Sequence, residues 1–209
     1  MNILAFDTGL NKTYVALMTG EQVFSETIES TEDKYHSAFL IKKIVDMLSA
    51  HSLLAQDIEL FATNVGPGSF TGIRVGLTVA RCLAQGTGAD VVGINSLELL
   101  SAVYGLPAIT VLDARKNKAY VGNNESVDLV ELEQLPDFLK NFNGKIIADT
   151  KMQEFLSENG IDAFNFEGEN IDCGDFLIKL AIDKYKSNKA VKWQGLKPLY
   201  IQPPPIHVK

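Results

Sequence analysis

Three short clusters in this sequence have residue types and spacing suited to chemistry. Asp7-Thr8-Gly9 closes an apolar run from Asn2 to Phe6. A carboxylate at a strand end, followed by glycine, can hold a water, a Mg²⁺ ion or a phosphate, or can simply turn the chain into a hairpin. Gly66-Pro67-Gly68-Ser69-Phe70-Thr71-Gly72 follows a second apolar run. Its glycines permit positive φ and a close approach to a ligand. Ser69 or Thr71 can cap the helix that follows, and the free N–H groups there favour an anion. The same glycines serve a tight connection and helix packing equally well. Asp113-Ala114-Arg115 ends a third apolar run. Asp7, Thr8, Gly9 and Asp113 are thus the candidate phosphate or nucleotide contacts.

The glycine loop is not a P-loop, because no Gly-Lys-Ser/Thr ends it. It is close to G-x-G-x-x-G with one residue too many, and Asp90 lies about where a ribose-binding acid would stand. A dinucleotide site is one alternative, although the antiparallel opening of the chain argues against it. A metal centre is not expected. Cys82 and Cys173 have no ligand spacing, and the three histidines, His36, His51 and His207, are far apart in sequence.

These clusters need elements to hold them. Asn2–Phe6, Tyr14–Met18 and Val23–Ile28 read as strands, with Gly20-Glu21 as a hairpin turn. A helix follows over Lys34–Ala50; Ser37, Leu40, Ile41, Ile44 and Leu48 share one face, with Ser37, Ile41, Ile44 and Leu48 as its core stripe. Tyr35 and Phe39 then fall on the opposite face with Lys42, Lys43 and Asp46, and outward aromatics suit an interface. Glu59–Val65 is a strand, the glycine loop leads into a helix to about Gln85, and Gly86 and Gly88 stop it. In that helix Gly72, Gly76, Ala80 and Ala84 form a ridge of small residues that lets another helix approach. Only Arg74, Thr78, Arg81 and Gln85 make a polar stripe, which points to cover on several faces.

Asp90–Ile94 is a strand, and Ser96 caps a helix to about Tyr104. Ala108–Leu112, Ala119–Gly122 and Lys145–Ala148 read as strands. Glu131–Phe142, Met152–Glu158 and Asp175–Tyr185 read as helices, and Lys197–Lys209 as an extended tail. Strands that are first antiparallel and then alternate with helices indicate a mixed α/β layered fold. The division falls near Tyr104–Pro107, giving a first lobe over residues 1–104 and a smaller one over 105–209.

Of 209 residues, 46% are apolar and 22% charged, the balance of a globular protein with a real core. No apolar run reaches membrane-spanning length, so no membrane partner is expected. Met1-Asn2-Ile3-Leu4 lacks a basic leader, and two cysteines cannot make a disulfide framework; both point to the cytoplasm. A net charge of −7 makes the chain a poor stand-alone nucleic-acid binder. Residues 184–209 are the exception, with six lysines and no acid. Any contact with RNA would fall there.

The Asp-Thr-Gly turn on an opening meander, together with Asp113, resembles the actin/Hsp70/sugar-kinase superfamily. More narrowly, the sequence resembles the TsaB (YeaZ) family. Ile3-Leu4-Ala5-Phe6-Asp7-Thr8, the whole of Gly66–Gly76, Leu112-Asp113-Ala114-Arg115 and Pro198-Leu199-Tyr200 carry the likeness. It is firm over about residues 1–120 and at Pro198–Tyr200, and thin between. It implies two actin-like (ribonuclease H-like) lobes of mixed sheet flanked by helices, the second reduced. It also implies a non-catalytic subunit needed for threonylcarbamoylation of the tRNA adenosine next to the anticodon. Such a subunit supports a homologous catalytic subunit, TsaD, beside an ATPase subunit, TsaE. It meets tRNA only through the complex and has no cofactor of its own, ATP entering at the complex level.

By the same resemblance, the two helices form both the partner surface and a homodimer surface. They bring Tyr35, His36, Phe39, Lys43, Ser69, Phe70, Thr71, Gly72, Arg74, Gly76, Leu77, Ala80 and Arg81 to the candidate interface. The catalytic relative carries two metal-binding histidines four apart on the first long helix. Here His36 is followed four residues later by Leu40, which speaks against an intrinsic transferase. The alternative reading is a stand-alone nucleotide-binding phosphotransferase or hydrolase of the superfamily, with Asp7 positioning a metal-bound water.

Overall fold

The computed structural model describes residues 1–29, 37–123 and 126–201. Tyr35, His36 and the end of the tail lie outside them, as do the side chains of Ser37 and Ala38. The chain forms two compact units. The first comprises Met1–Ser96 and Asp172–Pro198, and the second is built on Leu97–Ile171.

In the first unit, β1 (Ile3–Asp7), β2 (Thr13–Thr19) and β3 (Gln22–Ile28) make an antiparallel meander. The helix α1 (Ser37–Ala50) leads by a short turn to β4 (Leu60–Gly66), then come α2 (Phe70–Thr87) and β5 (Asp90–Asn95). The sheet order is β3-β2-β1-β4-β5, with β4 parallel to β1 and β5 parallel to β4. Side chains alternate across the sheet. Leu4, Phe6, Val15, Leu17 and Phe61 therefore meet Leu40, Ile44, Met47 and Leu48 of α1 and Ile73, Leu77, Ala80 and Ala84 of α2 in one core.

The second unit repeats this plan, mostly in shorter elements. It contains α3 (Ser96–Tyr104), β6 (Ala108–Arg115), β7 (Lys118–Gly122), β8 (Val127–Glu131), α4 (Leu135–Leu139), β9 (Lys145–Ala148), α5 (Thr150–Glu158) and β10 (Phe164–Asn165). Its order is β10-β9-β6-β7-β8. The first three strands are again antiparallel, and β9 is parallel to β6 and β10 to β9. The lobe is reduced as expected, since β10 has two residues and α4 five where α1 has fourteen.

The expected division between residues 104 and 105 is corrected by the last helix. That helix, α6 (Gly174–Lys186), returns to the first unit and packs across β1, β2, β3 and β5. Leu177, Ile178 and Ala181 bury one of its faces, and the stretch beyond it joins Val191 to Val91 at the edge of β5. The sequence marks where a second run of strands and helices starts, near Pro107, and a helix that rejoins an earlier sheet leaves no mark there. Two edge strands, β8 and β10, were also unread, one half-buried and the other too short for a period.

Candidate functional site

The Asp7 turn lies beneath α2 rather than open to a ligand. Asp7 is 0% exposed. Its Oδ1 accepts from the Gly9 N–H at 2.5 Å and the Leu10 N–H at 3.3 Å, and its Oδ2 accepts from Asn64 Nδ2 at 2.7 Å. Asn64 in turn accepts on Oδ1 from the Gly66 N–H (2.7 Å) and the Ser96 hydroxyl (2.9 Å). Burial pushes the Asp7 carboxyl up to about 6, against the lowering effect of those hydrogen bonds. Tyr14 and Cys173 line the same buried side, and burial raises both of them well above their ordinary values. Among the described residues, the Tyr14 hydroxyl has no hydrogen-bond partner of normal geometry.

Two bonds tie α2 down onto this turn. The Ser69 N–H donates to the Gly9 carbonyl at 2.8 Å, and the Thr8 hydroxyl donates to the Gly72 carbonyl at 2.6 Å. Ser69 also caps α2, its hydroxyl accepting from the Gly72 N–H at 3.2 Å. The glycines serve this approach. A Cβ at Gly72 would fall 1.7 Å from the Thr8 carbonyl oxygen, and one at Gly68 would fall 2.4 Å from that of Gly9. Of the two uses open to the glycine loop, the structure displays the packing one, with the loop cradling the chain's own backbone.

The small-residue ridge is corrected in the same way. Gly76, Leu77, Ala80 and Ala84 are buried within their own unit, and Gly76 stands over Thr63 and Thr8. A ridge of small residues fits a β-sheet as closely as it fits a helix, and here the sheet takes it. The outward face of α2 is instead Phe70, Thr71, Arg74, Val75, Thr78 and Val79, which line a groove of about 430 Å³. Phe70 is 45% exposed, with the Arg74 guanidinium 3.9 Å above its ring. Arg81 stacks over Trp193 and so lies against the chain's own return segment.

The core stripe of α1 is also corrected. Leu40, Ile44, Met47 and Leu48 face inward, whereas Ile41 and Val45 are 52% and 54% exposed. Phe39 is half-buried, and Lys43 pairs with Glu26 at 2.6 Å. The apolar outward face of α1 is thus an isoleucine–valine pair one turn apart, which sequence reasoning missed by choosing the adjacent stripe.

In the second unit, Asp113 accepts on Oδ1 from the Arg115 N–H at 2.9 Å and pairs on Oδ2 with Lys151 at 2.8 Å. The turn beyond it carries three successive left-handed residues, Arg115, Lys116 and Asn117, at φ 61°, 50° and 58°. Asp149 caps α5 through Oδ1, and its Oδ2 accepts from the Asp113 N–H at 2.6 Å. Burial raises the Asp149 carboxyl. Glu167 adds a second carboxylate at the same helix start, accepting from the Thr150 N–H and hydroxyl. Each unit therefore joins the end of its first strand to the end of its fourth through a side-chain carboxylate.

Among the described residues, no group of three or more His, Cys, Asp or Glu side chains is placed to hold a metal ion. None of their helices is long and apolar enough to cross a membrane. Leu40 is wholly buried.

Comparison with known proteins adds the following. Residues 22–168 match the family model described as TsaD: tRNA N6-adenosine threonylcarbamoyltransferase. The tRNA threonylcarbamoyladenosine biosynthesis protein TsaB of Bacillus subtilis is 32% identical over 97% of this chain and 94% of its own length. The protein of the same name from Haemophilus influenzae is 31% identical over 57% of this chain and 52% of its own. Among solved structures, YeaZ from Pseudomonas aeruginosa superposes with a TM-score of 0.71 at 19% identity, over 96% of this chain and 99% of that one. That likeness supports the two-lobed fold.

Proposed function

Because the chain belongs to the TsaB family of tRNA threonylcarbamoyladenosine biosynthesis proteins, we propose that it works in that pathway as a non-catalytic subunit. It docks on a TsaD-type catalytic subunit through the outward faces of α1 and α2. A TsaE-type ATPase supplies nucleotide turnover at the level of the complex, and tRNA is met only there. The same faces serve self-association when the partner is absent.

The observation that carries this reading is the exposure of Ile41 and Val45 on α1 and of Phe70 on α2, where Phe70 lines a groove together with Val75 and Val79. Large apolar side chains exposed on the outward faces of both helices, with Arg74 stacked on Phe70, have the make-up of a docking face. The stand-alone phosphotransferase reading asks Asp7 to reach a metal-bound water. Its oxygens already accept three protein hydrogen bonds inside a closed turn.

The test is tRNA threonylcarbamoylation reconstituted from purified components, with and without this chain. Modification should require the chain, and the chain alone should do nothing. Ile41→Glu with Val45→Glu should leave the fold within about 0.5 kcal/mol of wild type and abolish docking. Equal modification without the chain would refute the role, and full docking by the double variant would refute the surface.

A further inference from the structure

The Asp7 carboxylate stands at the head of a chain of contacts that ends on the outward face of α2. It gathers the Gly9 and Leu10 N–H groups on one oxygen and Asn64 on the other. That fixes the Gly9 carbonyl where it receives the Ser69 N–H, and fixes Thr8 where its hydroxyl reaches the Gly72 carbonyl. Ser69 and Gly72 bracket the first turn of α2, which carries Phe70 and Thr71. The loop has no slack, since a Cβ at Gly68 or Gly72 would collide with the backbone of the turn.

We propose that Asp7 is the positioning residue of the docking helix, an internal latch that holds the first turn of α2, and with it Phe70, in register on the sheet. The consequence for docking rests on the function proposed above. The latch itself does not.

Polar matching makes the idea testable. In Asp7→Asn the new amide faces Asn64 Nδ2, donor against donor. Turning either amide over moves the conflict to the Gly9 and Leu10 N–H groups or to the Gly66 N–H. In Asn64→Asp two carboxylates face each other with no donor between them. In the exchanged pair, Asp7→Asn with Asn64→Asp, every contact has a partner again. Residue 7 accepts from Gly9 and Leu10 and donates to residue 64, which accepts from Gly66 and Ser96. A buried group left without its partner costs enough to change a local opening equilibrium by about tenfold or more.

Hydrogen exchange of the Ser69 and Gly72 amides in the isolated chain reads the latch, and affinity for a purified TsaD-type subunit reads its consequence. Each single variant should speed exchange at these two amides by about tenfold and weaken docking by a similar factor, and the exchanged pair should restore both. Thr8→Val, which cuts the latch beyond Asp7, should give the same local signature and stands in if a single variant does not fold. Unchanged exchange in folded Asp7→Asn, or an exchanged pair that folds without restoring protection, would overturn the latch. Fast exchange with undiminished docking would overturn its link to the docking face. A wild-type chain that binds no subunit would instead overturn the proposed function, with the exchange data still deciding the latch.

Discussion

Replacing Gly72 by alanine puts the packing of α2 on the Asp7 turn under direct stress. The added Cβ would stand 1.7 Å from the Thr8 carbonyl oxygen, roughly 1.6 Å inside the shortest ordinary carbon–oxygen contact. Backbone cannot swing aside as a side chain can. Lifting the helix breaks the bonds from Thr8 to Gly72 and from Ser69 to Gly9, each worth about 1 kcal/mol net, with more lost where a buried partner is orphaned. Staying in place overpacks the interface at a cost of about 1–3 kcal/mol. The cheaper response sets the expected loss, about 2–3 kcal/mol. Gly86, in the same helix, is the control. A Cβ there meets nothing within 4 Å, so Gly86→Ala should be neutral or add about 0.5 kcal/mol. Trp193, the single tryptophan, packs by α2 and reports on this unit. Urea unfolding followed by its fluorescence should separate the two variants widely. Gly72→Ala within about 0.5 kcal/mol of wild type would refute the close-packing account.

Asp7 should also leave a mark on the pH dependence of stability. Its folded value near 6 lies above the ordinary 3.8, so the folded chain binds this proton more tightly than the unfolded chain does. The stabilisation is complete below about pH 3.8 and is lost as pH rises through about 6, some 3 kcal/mol in all. The stability of wild type relative to Asp7→Asn should fall by that order between pH 4 and 7 in urea titrations, and a constant difference would contradict the burial argument. In the second unit, Asp149→Ala removes the cap of α5 and orphans the Asp113 N–H. It should cost about 2–3 kcal/mol and appear as lost exchange protection at Met152 and Asp113. Retained protection would show that the strand ends are held by something else.

The sequence was readable where periodicity and punctuation agreed. The meander, β4, the glycine loop, α2, β5 and β9 lie within a residue or two of their expected bounds. What failed was the choice of face. On α1, Ile41 and Leu40 are adjacent, and either belongs to a plausible stripe with Ile44 and Leu48. Only the sheet beneath decides which turns inward. The ridge of Gly72, Gly76 and Ala80 recorded that something comes close but not what. Asp7 was legible as a special carboxylate, while its partner Asn64 sits in an apolar strand without a motif to mark it. Asn64 is found only once β1 and β4 are seen side by side.

The return of α6 has a consequence for synthesis on the ribosome. The first unit is interrupted between Ser96 and Asp172. Its sheet is complete by Asn95, yet the face that receives α6, including Ala16 against which Gly174 packs, has no cover until α6 is made. At about 5–20 residues per second, the intervening stretch takes roughly 4–15 s to make. During that interval the nascent chain carries a half-dressed sheet, while the second unit, whose core comes from one continuous stretch, can close on its own. The first unit is therefore the last to mature, although its sheet is made first.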